Sequence, residues 1–165
     1  MGYNNLNSFI EVDLEYLDQK IKENLSVFGY CEYEDEKNDE YVYEFKNKDK
    51  EKNLLIVVDA EATVYYADFH CHYAFYKNEI DELVKSVLNI LNNEMKAVNV
   101  YSLRRWLGSL CIDTTEKVDG VKFLEEKHFP KEFINEIKRL GGTITETYWS
   151  KEKKIYTVGP EKKNV

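Results

Sequence analysis

A chain of 165 residues, 43% apolar and 33% charged, is long enough to bury a hydrophobic core and too apolar for wholesale disorder. Its 31 acidic against 23 basic residues leave a net charge of −8, which repels phosphate backbones and argues against a nucleic-acid partner. No run approaches the ~18 apolar residues of a membrane span, the N-terminus lacks a basic and then apolar secretory start, and Leu6 stands where a myristoylation signal needs Ser or Thr, so no membrane partner and a cytoplasmic location are expected.

Along the chain, Leu14, Leu17, Ile21, Leu25 and Phe28 recur at three- and four-residue steps and predict a helix over 13–28 that Gly29 ends. In 30–47, Tyr41, Tyr43 and Phe45 alternate with Val42, Glu44 and Lys46, a strand pattern behind an acidic turn. The β-branched run at 54–58 suits a central strand, and a second strand is expected over 63–73, completing an antiparallel meander. The strongest helical period covers 79–95, with Asn78 as its expected cap and Val84, Leu88 and Leu91 on the face toward the sheet. Strands are expected at 97–103 and 106–112, turning at Arg104 and Arg105 with Trp106 in the core. A short helical piece at 121–127 follows, then a helix that Pro130 opens and Gly141 and Gly142 stop. A hairpin of 143–149 and 154–158 closes the chain, with 159–165 expected as a frayed tail. Grouped strands and helices, with no repeat or linker between them, predict an α+β fold, a single domain over 1–165 in which a largely antiparallel sheet packs against two or three amphipathic helices.

Two segments carry chemistry. A strand alternates faces, so Asp68, His70 and His72 are expected on one face with Cys71 on the other. Two imidazoles and a carboxylate supply part of a zinc site, with His128 or Cys111 as a possible third ligand, and a small metal-dependent hydrolase is the alternative they define. These five residues resemble the D-x-H-x-H pattern of metal-dependent amidohydrolases, TatD-type nucleases and PHP phosphoesterases. Those barrels need ~250 residues and further ligands that this chain lacks. The plainer alternative is that the histidines fill a polar strand face. Cys31, Cys71 and Cys111, odd in number and widely spaced, fit reduced thiols rather than a disulfide framework. The chain carries no G-x-S-x-G elbow, phosphate-binding loop or G-x-G-x-x-G turn, so no cofactor is expected and an enzyme is the less favoured reading.

The second segment is 30–44, where Glu32, Glu34, Asp35, Glu36, Asp39, Glu40 and Glu44 meet a single Lys37, and Tyr30, Tyr33, Tyr41 and Tyr43 interleave the acids. Such a mixture offers amphipathic contact area beside negative charge, suited to a basic protein partner, or it is simply a solvated hairpin turn at a sheet edge. In size, composition and style of elements the whole chain is similar to the immunity proteins of bacterial polymorphic-toxin systems, which neutralise a cognate toxin by covering its active site. That resemblance implies that Glu34, Asp35, Glu36, Asp39 and Glu40 would face a basic toxin domain, with Tyr33 and Tyr41 as anchors. A non-enzymatic interaction module of another assembly is the remaining alternative.

Overall fold

Asp13 opens the first helix, α1 (Leu14–Leu25), because its carboxylate accepts the Tyr16 backbone N–H at 3.0 Å, satisfying one of the donors a first turn leaves free. A single turn of tighter helix, Ser26–Phe28, extends it to Gly29, whose φ of +67° ends the run where a side chain would be strained. The computed structural model that shows this describes residues 11–103 and 105–160, and its contacts divide the chain into two units, Met1–Asn92 and Asn93–Val165. The protein is α+β, with two antiparallel sheets and four α-helices among the described residues.

In the first unit five strands form a simple meander, β1 (Cys31–Asp35), β2 (Glu40–Phe45), β3 (Leu54–Val58), β4 (Ala62–Tyr66) and β5 (Phe69–Tyr73), each hydrogen-bonded to the next. The segment expected as one strand over 63–73 folds back on itself. Ala67, at φ +51°, and Asp68 make a two-residue turn, after which Tyr66 pairs with Phe69 and Thr63 with His72. Aspartate favours such a turn, a local preference that the uninterrupted apolar and aromatic run around it had hidden.

The second helix, α2 (Lys77–Leu91), starts two residues before the expected 79 and ends four before 95. Asn78 does not cap it. Tyr76 occupies that position without a side-chain bond, and the Glu79 carboxylate accepts the Ala74 N–H at 2.6 Å. Asn93, in the left-handed region at φ +60°, ends the helix, and Met95 belongs to the next strand. Helix α2 packs on α1 and against β4 and β5, burying Ile80, Leu83, Val84, Val87, Ile90 and Leu91, while Leu88, expected against the sheet, is only half-buried. Tyr43 reaching Asp18 and Tyr73 reaching Ser86 place both helices on one face of the sheet.

In the second unit the strands are β6 (Met95–Ser102), β7 (Arg105–Asp113), β8 (Gly142–Thr147) and β9 (Lys154–Val158), ordered β7-β6-β8-β9. Helices α3 (Val121–Glu126) and α4 (Lys131–Leu140) contribute Phe123, Leu124, Ile134 and Ile137 to a core that includes Val98, Val100, Leu107 and Ile144. Arg105, expected in a turn, begins β7 and pairs with Glu136, while Arg104 lies outside the described residues. Trp106 is 42% exposed rather than in the core. Its neighbour Leu107 takes that place, because Val100 pairs with Gly108 and Tyr101 with Trp106, so Leu107 is an extra, unpaired residue in β7 that changes which of its side chains point inward.

Within this core one pair is charged. Lys96 on β6 and Glu146 on β8 are each 2% exposed, with Nζ and Oε2 3.4 Å apart. Glu146 also accepts from the hydroxyls of Tyr148 and Tyr156, and Lys96 donates to the Glu116 carbonyl at 2.6 Å. The cost of burying both charges is met by these hydrogen bonds, which leave neither ion dependent on the other alone.

Candidate functional site

A meander places alternate turns at the same end of a sheet, so the β1–β2 and β3–β4 turns lie side by side in the first unit. Val12, whose N–H bonds the Phe75 carbonyl at 2.9 Å, brings the start of α1 to the same end. Together they line an open groove of about 790 Å³. Its carboxylates are Glu11 and Asp13 before α1, Glu34, Asp35, Glu36, Asp39 and Glu40 from the hairpin, and Asp59 after β3, and no lysine or arginine lines it. Leu14, Tyr41, Val58 and Phe75 supply the apolar part.

Local bonding divides the acids into two kinds. Asp13 caps α1, Asp35 accepts from the Lys37 N–H at 3.1 Å and from Asn38 at 3.0 Å, and Asp59 accepts the Glu61 N–H at 3.0 Å. Asp39 holds the left-handed turn position at φ +57°, which aspartate tolerates better than most residues. These carboxylates shape the backbone that carries them. The Tyr41 phenol, edge-on to Tyr43 at 5.2 Å between ring centroids, is held above its ordinary pKa by desolvation and then by the nearby Glu32 carboxylate, so it stays a neutral donor among the acids.

Of the residues expected to meet a partner, Glu34, Asp35, Glu36, Asp39, Glu40 and Tyr41 come together here. Tyr33 does not. It pairs with Val42, whose side chain lies on the face away from the helices, so strand alternation turns Tyr33 away from the groove. Glu11, Asp13 and Asp59 escaped the sequence reading because they are far apart in the chain. The meander itself was the available signal, since it predicts that the β3–β4 turn joins the acidic hairpin.

The sequence is charged unevenly. Residues 1–92 hold 20 acidic and 9 basic residues, net −11, whereas residues 93–165 hold 11 and 14, net +3. The negative potential belongs to the unit that carries the groove.

The Asp68, His70 and His72 triplet does not assemble as expected. Asp68 sits in the β4–β5 turn, while His70 and His72 stand exposed on β5 with ring centroids 5.4 Å apart. His72 Nδ1 lies 2.7 Å from a Glu61 carboxylate oxygen and 3.0 Å from the Thr63 hydroxyl. Among the described residues no group of three or more His, Cys, Asp or Glu side chains is arranged to hold a metal ion. Cys31, Cys71 and Cys111 form no disulfide with one another, and each is half-buried. His128 lines a smaller concavity of about 450 Å³ beside α3 and α4, where Lys138 is already paired with Glu125 at 2.9 Å. No described helix is long and apolar enough to cross a membrane.

Comparison of the chain with known proteins finds no matching family model, no matching curated protein and no matching solved structure.

Proposed function

We propose that this protein is a binding inhibitor, an immunity-type protein that neutralises a basic toxin domain by seating it on the acidic groove of the first unit. The observation that carries the reading is the convergence of eight carboxylates from three chain segments on one concave surface without an intervening cation. A field of that kind raises the local concentration of a positively charged partner and speeds its arrival, while Tyr41, Leu14 and Phe75 offer contact area once water is expelled. Such a site needs no nucleophile, cofactor or metal, because its work is occlusion.

The test takes as partner a large secreted protein with a basic C-terminal domain, sought among the genes beside this one, with association followed by stopped flow. Raising ionic strength from about 0.05 to about 0.5 M shortens the Debye length from about 14 to about 4 Å, and the on-rate should fall far more than the off-rate rises. Changing Glu34, Glu36 and Glu40 to Gln and Asp35 and Asp39 to Asn removes five charges but keeps an oxygen at each turn position, so folding survives. Binding and protection by this variant equal to the parent's at low salt would remove the groove from the interface.

A further inference from the structure

The basic residues of the chain are twenty lysines and three arginines, and two of the arginines meet at one end of the second unit. Ser102 pairs with Arg105 on β7 and with Gly142 on β8, so the β6–β7 turn and the last residue of α4, Leu140, share that end of the sheet. The Arg105 guanidinium lies 5.9 Å from the centre of the Phe133 ring and pairs with Glu136, and Arg139, three residues on, is a neighbour of Glu136 on the helix surface. Around these two cations Leu103, Trp106 and Leu140 are 70%, 42% and 38% exposed, an apolar grouping with arginine beside it. Leu103 holds φ +53°, a turn position that Gly or Asn adopts more readily. A strained leucine that stays in water gains nothing from the fold of its own chain, which points to a contact outside it.

We infer that this convex end seats in the acidic groove of a second copy of the chain, a head-to-tail self-association. Charge and shape both argue for that occupant. The groove is concave, carries eight carboxylates and is lined by no lysine or arginine, while the tip is a tight turn flanked by arginine. Guanidinium groups bind carboxylates through two parallel hydrogen bonds, and Glu34, Glu36 and Glu40 have no side-chain partner that would compete. Leu14, Val58 and Phe75 offer Leu103 and Trp106 apolar lining, a contact that a small anion would leave unused. Nucleic acid, the other common partner of arginine, is repelled by the net charge of −8.

Because the two surfaces differ, the contact is heterologous, and association continues past the dimer unless a ring closes. A hairpin tip and a helix end bury less than the ~1,200 Å² of a stable interface, so the contact is transient, with a Kd of about 10 µM to 1 mM. It occupies the same carboxylates as the basic toxin domain proposed above, which must therefore displace it. The inference uses the geometry of the groove and not the identity of that toxin.

Sedimentation equilibrium of the full chain, with no toxin present, tests it. The weight-average mass should rise between about 10 µM and 1 mM at about 0.05 M salt, and about 0.5 M salt should weaken association at least about tenfold. Two variants separate the surfaces. The tip variant combines Leu103→Asn, which suits the positive φ and so folds, with Arg139→Gln on an exposed position. The groove variant carries Glu34→Gln, Glu36→Gln and Glu40→Gln, none of them at a cap. Each variant alone should stay monomeric to about 1 mM, whereas an equimolar mixture, which joins an intact groove to an intact tip, should form a one-to-one complex within about threefold of the parent affinity and grow no further. A parent that is monomeric at about 1 mM in low salt, a tip variant that associates as the parent does, or a mixture that stays monomeric overturns the inference. Toxin binding left intact in the groove variant would instead count against the inhibitor reading alone.

Discussion

Replacing Lys96 by Met keeps the length of the side chain and removes its ammonium, which leaves the 2% exposed carboxylate of Glu146 without its nearest cation. Breaking a buried ion pair from one side costs about 3–5 kcal/mol. Two features bear on where in that range this change falls. Tyr156 at 3.1 Å and the shorter bond from Tyr148 still donate to Glu146, and Lys154 remains 3.9 Å away, which favours the low end. Against that, the Glu116 carbonyl loses a 2.6 Å donor, worth about 1 kcal/mol. A loss of about 3–4 kcal/mol follows, which at an m-value of about 2 kcal/mol/M lowers the urea midpoint by about 1.5–2 M. The assay is unusually local, because Trp106 and Trp149, the two tryptophans of the chain, both fall in the second unit and their fluorescence reports on that unit. Adding Glu146→Gln removes the stranded charge, so the double variant should be at least about 1 kcal/mol more stable than additivity allows. A midpoint shift below about 0.5 M for Lys96→Met, or strict additivity in the double variant, would refute the view that Lys96 neutralises Glu146.

Two further outcomes follow from the packing and the tyrosines. Leu83→Ala on the buried face of α2 should cost about 2–5 kcal/mol, whereas Leu88→Ala, on a half-buried position, should cost less than about 2 kcal/mol; equal losses in denaturant unfolding would mean that the two positions are equally packed. Tyr43 and Tyr148 have their phenol pKa values raised by desolvation, with Asp18 adding to the first and Glu146 to the second. In the unfolded chain these phenols lose protons near pH 10, while the folded chain keeps them, so the unfolded state binds fewer protons above that pH. Stability should therefore hold up to about pH 10 and decline above it, and the decline should shrink when both are changed to Phe; an unchanged slope in the Phe variants would assign it to other groups.

What could be read in advance depended on how local the determining interaction was. The period of α1 and the run at 54–58 are contiguous patterns, and both elements stand where periodicity placed them, with Gly29 ending the first. The 63–73 segment misled because aromatic residues run through both of its strands and only Asp68 hints at the reversal. Trp106 misled for a different reason, since an extra, unpaired residue at Leu107 in its own strand decides which of two adjacent side chains faces inward, and strict alternation does not foresee such a bulge. The groove was half legible. Its hairpin acids cluster in sequence, whereas Asp13 and Asp59 arrive through topology, and Tyr33 was misplaced because composition does not say which face a strand residue takes.

The split between aspartates and glutamates in the groove has a consequence for divergence. Asp13, Asp35 and Asp59 are tied to a cap and to turns that Asn, Ser or Thr could also serve, and Asp39 to a left-handed position that Asn or Gly could fill, so other replacements carry a folding penalty. Glu34, Glu36 and Glu40 make no side-chain hydrogen bond or ion pair among the described residues that would impose one. Relatives of this chain confronting partners of different charge would be expected to keep the aspartate frame and exchange the glutamates, so that a census of variation across this groove separates the scaffold from the code it displays.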